Sequence, residues 1–82
     1  MEEDHRKSQR RKALKGARIV SQGGRASVSC TVRNLSADGA MLQGANFFGL
    51  AAKLTLVFDD GSPSRECTVR WNAIVFMGVK FT

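Results

Sequence analysis

Val28-Ser29-Cys30-Thr31-Val32-Arg33 runs directly into Asn34-Leu35-Ser36-Ala37-Asp38-Gly39, and Ala40-Met41-Leu42 follows. This stretch decides the fold. In its first six residues Val28, Cys30 and Val32 alternate with Ser29, Thr31 and Arg33. A period of two with one apolar side belongs to a half-buried antiparallel strand. Asn-x-Ser-x-x-Gly supplies turn chemistry, and Ala40-Met41-Leu42 restarts an apolar strand. Strict parity would carry Asn34 and Ser36 inward, so the strand is expected to bend or bulge there and re-aim its polar groups.

The same pattern continues outward in both directions. Upstream, β character begins at Ala17 with Ile19 and Val20, and Gln22-Gly23-Gly24-Arg25 is a glycine-rich turn. Downstream, Gly44 to Ala52 is a loop or short helical turn. It carries Phe47 and Phe48, which are expected to close one end of the structure, with one of the pair exposed. Leu54, Leu56 and Phe58 then alternate with Thr55, Val57 and Asp59, and Asp59-Asp60-Gly61-Ser62-Pro63 is a hairpin turn. Cys67, Val69 and Trp71 alternate with Glu66, Thr68 and Arg70, a parity that assigns Trp71 to the core. The last strand is expected from Ile74 to Phe81, with Val75, Met77, Val79 and Phe81 on one face. Six short strands separated by turns imply an all-β domain, a small antiparallel barrel or sandwich.

Composition narrows the function. The 82 residues make one small domain with a modest core. No apolar run approaches the roughly 18 residues of a membrane span, and no apolar stretch follows the N-terminal charges, so a cytoplasmic protein is expected. Cys30 and Cys67 are not paired as Cys-x-x-Cys, and the lone His5 lies in the tail. Two small buried hydrophobes in a reducing compartment are expected, with no metal site. There is no nucleophile–base pair and no phosphate loop opening a helix, so no enzyme is expected. The net charge is +6 and uneven: seven basic and three acidic residues in 1–18 give +4, and six basic and four acidic residues in 19–82 give +2. A basic arm on a near-neutral body points to an anionic partner: a nucleotide, nucleic acid or an anionic membrane. Residues 1–12 are polar, charged and without apolar periodicity, and are expected to be a flexible arm, with the barrel spanning 13–82.

That arm contains Arg6-Lys7-Ser8-Gln9-Arg10, an Arg-x-x-x-Arg spacing. Followed at this distance by Asn34-x-Ser36-x-x-Gly39, it resembles the PilZ domain of bacteria, over most of the chain from about Arg6 to Phe81. The resemblance implies a six-stranded antiparallel β-barrel and a non-enzymatic receptor for cyclic di-GMP, which is a ligand rather than a cofactor. It assigns ligand binding to Arg6, Arg10, Asn34, Ser36 and Gly39, with Arg11 and Arg33 as secondary contacts. Lys7 and Arg11 repeat the four-residue spacing, so the register of the arginine pair stays open. Arginine suits this ligand because its planar fork matches both phosphate oxygens and the O6/N7 edge of guanine. Asn34 and Ser36 would bond guanine or the backbone around it, and Gly39 would provide a positive φ or room for close approach. Without ligand the same residues make a plain Asx/Ser turn.

Ordering about eight arm residues costs on the order of 10 kcal/mol, against roughly 1.5–3 kcal/mol per charge-assisted contact. The arm is therefore expected to close only when several contacts form together, an order–disorder switch that signals through a downstream protein. Arg70 and Lys80, on outward faces, would extend the positive surface, and Trp71 would stack a base only if it left the core. Two other functions fit the charge and fold: a ligand-free PilZ-like adaptor acting by protein contact, and a basic barrel binding single-stranded nucleic acid. The second needs exposed aromatic platforms, and the chain has no tyrosine and one tryptophan.

Overall fold

The computed structural model describes residues 11–21 and 27–82. It contains six strands: β1 (Arg11–Ser21), β2 (Ser27–Leu35), β3 (Gly39–Gly44), β4 (Lys53–Phe58), β5 (Arg65–Asn72) and β6 (Phe76–Phe81). Every pairing is antiparallel, and the order β1-β2-β3-β6-β5-β4 closes on itself as a barrel. Closure removes the unpaired edges that a sheet this small could not otherwise protect. The six-stranded antiparallel barrel expected from the sequence is the observed fold. Strand pairing reaches back to Arg11, beyond Ala17 where the apolar alternation begins, because Arg11 and Lys12 pair through their backbones with Leu35 and Asn34.

The alternating apolar residues of all six strands fill the interior. Ile19, Val32, Leu42, Leu56 and Met77 are fully buried, and both cysteines lie among them as free thiols. Phe47, from the loop between β3 and β4, is also fully buried, whereas Phe48 is 77% exposed. Phe47 therefore plugs the end of the barrel where β3 leads to β4 and β5 leads to β6. A methyl on Gly44 would come within 2.6 Å of the Phe47 ring, so glycine makes the space into which the plug fits. At the opposite end Phe58 and Phe81, the last residues of β4 and β6, close the core. Lys15 lies 5.6 Å from the Phe58 ring centroid and Arg65 lies 4.1 Å from that of Phe81.

Three bulges interrupt the ladders, each adding one residue to one strand: between Lys12 and Lys15 on β1, between Val32 and Asn34 on β2, and between Val69 and Trp71 on β5. An extra residue bends the strand and exchanges inward for outward positions beyond it. On β1 it coincides with Leu14, at φ 46° and 64% exposed. On β2 it falls where the polar turn demands it, and Leu35 rather than Asn34 packs against the core. On β5 it overturns the expectation for Trp71. The tryptophan is 45% exposed, because the added residue at Arg70 reverses the parity set by Cys67. The final strand also starts later than the apolar run suggested. Ile74 and Val75 belong to the turn before β6 and are 43% and 41% exposed.

Candidate functional site

The Asn34–Gly39 segment joins β2 to β3 at the barrel end closed by Phe58 and Phe81. Its conformation is held from within. The Ser36 N–H donates to the Gly39 carbonyl at 2.9 Å. The Ser36 hydroxyl oxygen accepts from the Asp38 and Gly39 N–H groups, both at 3.2 Å, and the hydroxyl donates to the Gly39 carbonyl at 3.3 Å. The serine thus closes its own turn, the local competition with regular structure for which serine is suited. The turn is anchored to the last strand by the Phe81 N–H, which donates to the Asp38 carbonyl at 2.8 Å. Gly39 lies in β3 without a positive φ. A methyl there would overlap the carbonyl oxygen of Val79, so glycine permits close approach of β3 to the β6 backbone.

Beside this turn an open cleft of about 520 Å³ crosses the outer face of β3, β6 and β5, lined by Asp38, Gly39, Ala40, Arg70, Trp71, Gly78, Val79 and Lys80. The floor is mostly strand backbone. Gly78 carries the Trp71 indole directly, and a methyl on Gly78 would overlap the indole nitrogen. Trp71 therefore forms an aromatic wall, with the Arg70 and Lys80 cations flanking it. The volume suits a small ligand, and an aromatic face with two cations and backbone groups can stack a planar base and neutralise phosphate. A smaller cavity of about 220 Å³ lies on the other side of Ser36, between Leu35, Phe58, Phe81, Lys15 and Arg65. There Lys15 pairs with Asp60 at 3.3 Å. The Asp60 carboxyl is lowered to about 2, first by hydrogen bonds from the Ser62 hydroxyl and N–H and then by the Lys15 ammonium.

The chain's own features now stand together: a closed barrel, a Ser-locked turn between β2 and β3, and a cationic aromatic cleft beside it. The sequence model of the PilZ domain matches residues 4–82, nearly the whole chain. The chain belongs to the PilZ domain family. PilZ domains are in general non-enzymatic adaptors that bind cyclic di-GMP. No curated protein matches the chain. Of the residues singled out in sequence, this PilZ domain brings Asn34, Ser36 and Gly39 onto one turn. The Arg11 backbone lies opposite Leu35 of that turn. Arg33 is exposed and donates to the Gln43 side chain at 2.5 Å, toward the far end of β3. Arg6 and Arg10 lie outside the described residues. Trp71 and Gly78 are the additions made by the tertiary structure. A glycine inside a strand was the available signal, since it marks a close approach by another group, but its partner was not readable. Among the described residues there is no cluster that could hold a metal ion and no helix long and apolar enough to cross a membrane.

Proposed function

We propose that this PilZ domain is a receptor for cyclic di-GMP that binds the dinucleotide at the 34–39 turn and the adjoining Trp71 cleft, and closes its N-terminal arm over it. The observation that carries this reading is the cleft, which places an exposed indole and two cations directly against the family's Asn-x-Ser-x-x-Gly turn. In this reading Trp71 stacks a guanine, Arg70 and Lys80 draw the phosphates, and Asn34 bonds a base edge. Arg6 and Arg10 supply bidentate contacts from the arm. Arg10 immediately precedes Arg11, whose backbone pairs opposite Leu35, so in this reading the arm starts from the 34–39 turn. Closure of the arm would present a new surface to a downstream protein.

Calorimetry with cyclic di-GMP, with GTP and a short single-stranded oligonucleotide as controls, tests the proposal. Binding of the cyclic dinucleotide alone is expected. Arg6→Ala or Arg10→Ala should weaken it roughly 10- to 100-fold, about 1.4 kcal/mol per decade, while the fold survives. Trp71 fluorescence should change on binding. Absence of both heat and fluorescence change would overturn the receptor reading. One observation favours a ligand-free adaptor in that case: the Ser36 hydroxyl and Gly39 already have structural duties within the barrel.

A further inference from the structure

The barrel end away from the 34–39 turn carries an apolar tip. Phe48 is 77% exposed, Ile74 43% and Val75 41%. They stand on two adjacent turns that are fastened to each other. The Phe47 N–H donates to the Ile74 carbonyl at 2.6 Å, and the Gly44 N–H donates to that of Val75 at 2.9 Å. The Asn72 amide donates to the Phe47 carbonyl at 2.8 Å, and its oxygen accepts the Ile74 N–H at 2.9 Å. Ile74 has a φ of 75°, and the Val75 N–H donates across it to the Ala73 carbonyl at 2.8 Å. This is a γ-turn of the rare positive-φ kind, with a β-branched residue at its centre. Backbone strain of this sort persists where the surroundings enforce it, and it marks functional positions. Here it presents an isoleucine side chain to solvent.

Charge is distributed in the same sense. The acidic residues among those described are Asp38, Asp59 and Asp60 in the turns at the other end, and Glu66 at the second position of β5. The charged residues of the strands nearest the apolar tip are all basic: Lys53 opens β4, Arg70 is two residues from the end of β5, and Arg18 is three from the end of β1. We propose that this end of the barrel docks on an anionic lipid surface, with Phe48, Ile74 and Val75 entering the headgroup–acyl boundary and Lys53 and Arg18 meeting the lipid charge.

Shape, area and sign favour a bilayer over a protein. The three side chains stand on turns, and neither of the two cavities described above is lined by any of them. An aromatic side chain offers roughly 200 Å², so Phe48 with two half-exposed aliphatics falls well short of the roughly 800 Å² per partner of a stable protein interface. A rim of one sign repels a second copy of itself and suits a plane of negative headgroups, as in interfacial proteins that combine buried apolar area with attraction to anionic lipid. Because the two turns are already pinned, little ordering accompanies insertion.

The inference stands apart from the nucleotide reading, and its test uses no nucleotide. The full chain carrying Phe48→Trp and Trp71→Phe has one indole, at the tip. With vesicles of phosphatidylethanolamine and phosphatidylglycerol, its emission should shift to the blue and be quenched by brominated acyl chains. Phosphatidylcholine vesicles should give at least tenfold weaker binding. In cosedimentation, Phe48→Ser and Ile74→Gly should each reduce partitioning of the otherwise native chain about tenfold, and Lys53→Gln about fivefold, the effect of one juxtamembrane charge. No shift, or binding that is unchanged in Phe48→Ser, would overturn the proposal, the latter assigning attraction to charge alone. A concentration-dependent dimer abolished by Phe48→Ser, without vesicle binding, would overturn it in favour of a second copy.

Discussion

Replacing Gly39 with alanine tests why the family motif ends in glycine. The added methyl would overlap the Val79 carbonyl oxygen and lie 3.2 Å from both the Val79 carbonyl carbon and the Lys80 Cα. All three are backbone atoms of β6, so no rotamer change makes room and the strands must part. Gly39 pairs with Lys80 and Ala40 with Val79, and the Phe81 N–H bond to Asp38 is one residue away. Overpacking of a tight interior costs about 1–3 kcal/mol, and this site falls at the upper end because nothing flexible can yield. Weakening the Phe81–Asp38 bond adds about 1 kcal/mol. A total near 4 kcal/mol is a large part of the ~4–12 kcal/mol expected for a domain of this size, and corresponds to a fall in Tm of about 16–32 °C. Gly44→Ala is the control. Its methyl meets the Phe47 ring at 2.6 Å, but a ring can tilt, so about 1 kcal/mol is expected. Thermal melts by circular dichroism and urea titrations should rank Gly39→Ala well below Gly44→Ala. A Gly39→Ala protein melting within about 3 °C of the parent, which corresponds to less than 1 kcal/mol, would refute the reasoning. If the ranking holds, loss of ligand by Gly39→Ala reports on the β3–β6 contact rather than on a ligand contact.

Three further outcomes are expected. Gly78→Ala should displace the half-exposed Trp71 and red-shift its emission at a cost of about 1 kcal/mol; in a Trp71→Ala background the same change should cost nothing, and simple additivity in that double-mutant cycle would argue against the indole lying on Gly78. Asn72→Ala removes the amide that serves the Phe47 carbonyl and the Ile74 N–H, so the urea midpoint should fall by the equivalent of about 1–3 kcal/mol with m unchanged, and an unaltered midpoint would dismiss the clamp. Burial, aided by the Asp59 carboxylate, pushes the Cys30 thiol up to about 12, and burial pushes Cys67 up to about 11. Both folded-state values lie above the ordinary 9.0, so their contribution to stability is complete below pH 9 and declines as pH rises from about 9 toward 12. Urea midpoints should drop over that range, and a disulfide reagent at pH 8 should label neither thiol until the chain unfolds; rapid labelling of the native protein would contradict their burial.

Much of the barrel was written in local alternation. Val28, Cys30 and Val32 against Ser29, Thr31 and Arg33, and Leu54, Leu56 and Phe58 against their neighbours, need only a two-residue period to declare which side is buried. The bulge before the 34–39 turn was legible too, because two polar residues stood where parity called for apolar ones. The turn was likewise announced by Ser36 and Gly39, whose chemistry acts within four residues. Trp71 and Val75 were not legible. Each continued an apolar alternation, and only the extra residue on β5, set by pairing with a strand that arrives later in the chain, turned Trp71 out over Gly78. The same is true of the role of Gly39. A glycine's own sequence reports freedom of φ, whereas the Val79 carbonyl that forbids any side chain there is forty residues away. Sequence by itself thus determined strand count, facing and the family of the chain, since these depend on neighbours along the backbone. Tertiary structure alone decided which residues border the cleft and which form the apolar tip, since those depend on register between strands that closure of the barrel brings together.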